Sequence, residues 1–141
     1  MPRVIGDVFR VQHADGRGPW RPGFSNLWVD HDKNTCGLPS ILEDPPISRA
    51  LAGFNPQPGF HYGCGCRTLD QLRRWFSRRE YTLLTQQYGF HAVQLRQVSI
   101  IAESDVQALF ASATSFWDGA LLVDLYTVGE VRIDRRSGAS R

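Results

Sequence analysis

Hydrophobic and polar positions change their period several times along the chain. From Val4 to about Gln12 they alternate, with Phe9 and Val11 on one side and Val8, Arg10 and Gln12 on the other, which predicts a strand. From His13 to Gly59 the periodicity fades into Gly and Pro. The only helix this stretch suggests is a short one near Ile47–Phe54, with Pro45 and Pro46 before it and Ser48 as its cap. A loop this long in a small domain suits a lid or a recognition surface. Phe60–Cys66 reads as a short strand interleaved with glycines.

Two capping boxes follow. Thr68 with Gln71 opens a helix at Leu69, and Ser77 with Glu80 opens another that carries Leu83 and Leu84 and stops near Gly89. Leu69, Leu72 and Phe76, with Trp75 beside them, form an apolar stripe at helical spacing. Asp70 lies at the positive end of the first helix dipole, while Arg73, Arg74, Arg78 and Arg79 lie toward its negative end. The next segment, His91–Ile101, places Val93 and Leu95 on one parity and Val98 and Ile100 on the other, so a bulge is expected at Arg96-Gln97. Val106–Ala111 is apolar and fits a strand or a helix. Leu121–Val128 and Val131–Ile133 suggest a strand pair turned at Gly129-Glu130, and Arg135–Arg141 a frayed tail. The expectation is one α+β domain over residues 1–134, with most strands late and two short helices after the glycine-bearing strand.

Composition narrows the function classes. The chain has 141 residues, 42% hydrophobic and 21% charged, which fits an ordinary globular domain that hides about 68% of its unfolded surface. Its apolar runs fall far short of the roughly 18 residues of a membrane helix, and Met1-Pro2-Arg3 opens no signal-peptide core, so a cytosolic protein is expected. The net charge of +2 argues against coating nucleic acid by bulk electrostatics. Of the 16 basic residues Lys33 is the one lysine, an arginine bias that a GC-rich genome explains and that also suits phosphate or carboxylate recognition. The three cysteines, an odd number, are expected as free thiols.

Several residues are candidates for chemistry. Arg10, on the face of its strand opposite the core side of Phe9 and Val11, either binds phosphate or simply points to solvent, and Asp15-Gly16-Arg17-Gly18-Pro19 either brings backbone close to a ligand or serves a turn through Gly16 and Gly18. His61, Cys64 and Cys66, with His31 and Cys36 folding back, are a conceivable metal shell. Cys64-x-Cys66 is, however, a poor zinc spacing, and buried strand cysteines fit better. Asp30 and Asp32 around His31 read as a polar loop. Arg73, Arg74, Arg78 and Arg79, with Trp75 nearby, suit an acidic protein patch or a phosphate backbone, although solvated arginines at a helix end need no partner. No P-loop, G-x-S-x-G elbow, H-E-x-x-H or paired-carboxylate signature occurs, which disfavours phosphotransfer and conventional hydrolysis.

The order of a strand with Arg10, a Gly-rich connection, the strand His61-Tyr62-Gly63, Thr68 opening a helix, then Gly89-Phe90 and a strand resembles the ADP-ribosyltransferase fold. It resembles especially small phage and prophage proteins of this layout, over about two thirds of the chain. The resemblance implies a mostly antiparallel split sheet and NAD as substrate, held by Arg10, Tyr62 and Thr68. It also implies a catalytic glutamate on the ribose. Gln107 sits nearest that position and is not a carboxylate, so it cannot stabilise an oxocarbenium-like ribose by charge; Glu103 and Glu130 are the substitutes. Two functions follow: a phage-type transferase that modifies a host macromolecule, or a non-catalytic counter-defence protein, as anti-CRISPR proteins are, that binds a host protein complex in the host cytoplasm.

Overall fold

The computed structural model describes residues 4–16 and 43–126. The chain order is β1 (Val4–Gln12), α1 (Pro45–Ala52), β2 (His61–Gly65), α2 (Leu69–Trp75), α3 (Arg78–Tyr88), β3 (His91–Glu103), β4 (Ala108–Ser112) and β5 (Leu121–Leu122). The α+β class and the antiparallel sheet agree with expectation, with three helices among the described residues. The Val106–Ala111 segment resolves as strand β4. The second half of the expected terminal pair and the tail from Arg135 lie outside the described residues, as do Arg17, Gly18, Pro19, Asp30, His31, Asp32, Lys33, Cys36 and Glu130.

Strands run antiparallel in the order β1-β3-β4-β2, with β5 paired to β3 beside Val93 and Gln94. The two ends of this path meet. The Phe9 amide donates to the Cys66 carbonyl at 2.7 Å and the Cys66 amide returns to Phe9 at 2.8 Å, so the sheet curls into a small barrel. Gly65 permits the approach, because a Cβ there would lie 2.9 Å from the Phe9 carbonyl oxygen.

Closure gives the sheet two buried faces. Val8, Val93, Leu95, Val98, Ile100, Ala108 and Phe110 fill the interior, with Phe116 as a lid. Outside, Val11, Cys66 and Ala92 pack under α2 and α3 through Leu72, Trp75, Phe76 and Leu84, joined by Phe90 and Leu125. Both parities of β1 are therefore core, which corrects the expectation of one buried face.

The expected bulge is present. Gly6 pairs with Val98 and Val8 with Leu95, so Asp7 faces both Arg96 and Gln97. Gln97 takes a positive φ of 57°. Asp7 holds it there, accepting from the Gln97 amide at 3.0 Å and from Gln94 Nε2 at 2.9 Å. The extra residue resets the alternation, so Val93, Leu95, Val98 and Ile100 all point inward although their sequence parities differ.

The helices start where their caps require. In α2 and α3 both capping boxes close reciprocally, and α3 ends at Gly89 with φ 74°. The short helix near Ile47 begins earlier than its sequence suggests. Asp44 is the N-cap and the two prolines occupy the first turn, where their missing N–H groups cost nothing. α2 is pinned to the turn before β4, as Trp75 Nε1 donates to the Val106 carbonyl at 2.9 Å. Leu72 is 3% exposed beneath it. Leu72→Ala is expected to cost about 2–5 kcal/mol in chemical denaturation, and a cost near zero would mean that the α2 stripe is not core.

Candidate functional site

Arg10 leaves β1 on the same side as Val8 and enters the barrel, where its Cζ lies 4.7 Å from the centroid of the Phe116 ring. Gly63, on β2 across the interior, makes room for it: a Cβ there would sit 2.7 Å from Nη1. Nε and Nη1 are enclosed and have no hydrogen-bond partner. Burial lowers the guanidinium pKa from 12.5 to about 10, opposed by the nearby Cys64, and Arg10 stays cationic at neutral pH. Next to it, Gln12 donates through Nε2 to the Phe116 carbonyl at 2.8 Å, leaving its own Oε1 enclosed and unpartnered.

Tyr62 follows the opposite course. Gly63 faces inward, so by the pleat its neighbour Tyr62 faces outward. Its ring meets Phe54 edge-on at 4.9 Å between centroids, and its hydroxyl accepts from the Gln57 amide at 2.7 Å. Thr68 is committed to capping α2, its Oγ1 accepting from the Gln71 amide. The structure thus does not gather Arg10, Tyr62 and Thr68 around one cleft, because the wall of the barrel stands between the first two.

The described candidates for the catalytic position, Glu103 and Gln107, are equally separate. Glu103 binds Arg67 Nη1 at 3.0 Å across an exposed rim. Gln107 is buried and donates through Nε2 to Asp44 Oδ2 at 3.0 Å, and Ser104 Oγ donates to the same oxygen at 2.5 Å. This clasp ties the start of α1 to the β3–β4 turn. Asp44 is 4% exposed, a buried carboxylate that the sequence pattern did not flag, since an Asp before two prolines looks like an ordinary loop residue.

The arginine group divides in two. Arg73 and Arg74 stand in the last turn of α2, where positive charge suits the dipole. Arg73 is bound within the fold, to the Leu125 carbonyl at 2.7 Å and to Asp70 at 2.6 Å. Arg78 and Arg79 occupy instead the first turn of α3, where the dipole opposes them. Arg78 lies over the Tyr126 ring, 4.9 Å from its centroid. Arg74, Arg78 and Arg79 are all exposed at this corner.

The two described thiols are unpaired. Cys66 is buried, donating to the Val106 carbonyl at 3.5 Å, and Cys64 is half-buried. Among the described residues no group of three His, Cys, Asp or Glu is placed to hold a metal ion. No helix there is long and apolar enough to cross a membrane.

A family model described as Bacteriophage T4 Y00F protein matches residues 1–117, from β1 to the lid of the barrel. No curated protein and no solved structure matches the chain.

Burial pushes the Cys66 thiol from its ordinary 9.0 up to about 12, and raises Cys64 as well. The folded state thus keeps the Cys66 proton after the unfolded chain has lost it. The stabilisation from this thiol is complete below about pH 9 and disappears as pH rises toward 12. Stability measured against pH should therefore fall more steeply over this range in the parent protein than in Cys66→Ala. In a Cys36→Ser background at pH 8, an aromatic disulfide reagent should label the folded protein at least about tenfold more slowly than the denatured chain.

Proposed function

The chain belongs to the Bacteriophage T4 Y00F protein family, and from that premise we propose that it acts by binding a host protein through the arginines between α2 and α3, without catalytic turnover. The observation that carries this reading is the exposure of Arg74, Arg78 and Arg79 at one corner. Local helix physics favours Arg74 but not the other two. Each cation in the first turn of α3 is disfavoured by about 0.3–1 kcal/mol relative to a neutral residue. The ring contact of Arg78 with Tyr126 recovers part of this. A cluster kept against that gradient is suited to an acidic surface on another macromolecule. The net charge of +2 favours a protein patch over a nucleic-acid backbone as that surface.

The counter-defence role in the host cytoplasm that the resemblance suggests is the finer form of this proposal. A second reading, a transferase that uses NAD, has one observation in its favour: the unpartnered nitrogens of Arg10. Among the described residues it lacks an assembled site, because Glu103 is engaged by Arg67 and Gln107 by Asp44. Fold-level likeness alone supplies no reaction.

Capture from a host lysate, run beside a labelled-NAD incubation, separates the two readings. The expected result is a stoichiometric protein partner whose affinity falls at least about tenfold in the triple variant Arg74→Glu, Arg78→Glu, Arg79→Glu, and falls also with added salt, with no label transferred. Unchanged capture by the triple variant would overturn the corner as the binding surface. Label transfer that disappears in Arg10→Ala would overturn binding without turnover and support the transferase.

A further inference from the structure

We propose that the interior of the barrel is a binding site for a small oxyanion, held by Arg10 and Gln12 beneath Phe116. This does not depend on the partner surface at the α2–α3 corner, which involves other residues.

An enclosed guanidinium normally has a carboxylate or several carbonyls in its plane, because an unpaired buried charge is strongly unfavourable. Arg10 has neither. The Phe116 ring lies against it at 4.7 Å, but a ring face satisfies none of the in-plane N–H donors, and both Nε and Nη1 remain unpartnered. The nearest group able to carry negative charge is Cys64, whose thiol burial keeps protonated. The charge of Arg10 therefore has no counter-charge among the described residues.

The surroundings suit a guest. On β2, Gly63 and Gly65 turn no side chain inward, which leaves the space there to Arg10 and Phe116, while His61 on the same parity sets its ring 6.1 Å from that of Phe116. Gln12, two residues along the same face of β1, is fixed by its bond to the Phe116 carbonyl at 2.8 Å and presents an enclosed acceptor, Oε1. Unused donors on Arg10 and an unused acceptor on Gln12 thus belong to two side chains that both touch Phe116. A protonated oxyanion such as hydrogen phosphate satisfies both, accepting from Arg10 and donating to Gln12. Arg10 as a residue is only partly buried, so part of its side chain reaches solvent.

The test uses the intact chain with 15N-labelled arginine, its Arg10 Nε–H signal assigned through bonds in the parent protein so that no variant is needed. Inorganic phosphate, sodium acetate and sodium chloride are titrated at matched ionic strength. The expected result is a saturable shift of the Arg10 signal with phosphate, absent with chloride, and weakened about fivefold in Gln12→Leu, the loss of one hydrogen bond. A saturable response to acetate in place of phosphate would keep the oxyanion site and assign it to a carboxylate ligand. No saturable shift with either oxyanion, or an equal shift with chloride, would overturn the site.

Discussion

The two hydrogen bonds between Phe9 and Cys66 hold the architecture together. Without them β2 and β1 would be the free edges of an open sheet, each with unpaired N–H and C=O groups. With them the sheet has an inside. Residues on alternate positions of β1 are sorted into two cores, one enclosed by strands and one covered by α2 and α3. Gly65 is the local requirement for this, because any side chain there would press on the Phe9 carbonyl. Cys66 contributes through its backbone to the closure and through its small buried side chain to the outer core.

A barrel of so few strands must bend sharply, and β3 does so at the bulge that Asp7 stabilises. The positive φ of Gln97 is disfavoured for a residue with a Cβ, but two hydrogen bonds to one carboxylate and four inward apolar side chains outweigh it. The Asp44 clasp shows the same logic for a buried charge. Ser104, Gln107 and the first turn of α1 satisfy the residue, so it joins elements rather than weakening the core. Arg10 is the contrast, a residue only partly buried whose enclosed Nε and Nη1 are unmet.

These features separate the two proposed binding surfaces. The arginine corner stands where α2 ends and α3 begins, outside the barrel, whereas Arg10 lies within it. A contact with another macromolecule at the corner leaves the interior cation untouched. The order of strands in the sequence drew attention to Arg10, yet its surroundings follow from the closure of this particular sheet.

Local chemistry made much of the chain legible in sequence. Thr68-x-x-Gln71 and Ser77-x-x-Glu80 determined where α2 and α3 begin, since a capping box satisfies its orphan amides with residues four apart or fewer. The parity change at Arg96-Gln97 likewise revealed the bulge, because the apolar set on each side of it must reach one core. The faces of β1 were also legible, with Arg10 beside Val8 and opposite Phe9. What that second face meets was not. Only tertiary structure decided that Arg10 would lie inside a barrel, that Tyr62 would turn outward to Phe54, and that Gln107 would serve Asp44 rather than a ligand. Alternation is set by the pleat of a single strand, but burial depends on which distant strand closes the sheet, and a pair such as Phe9 and Cys66 leaves no periodic trace in the residues between them.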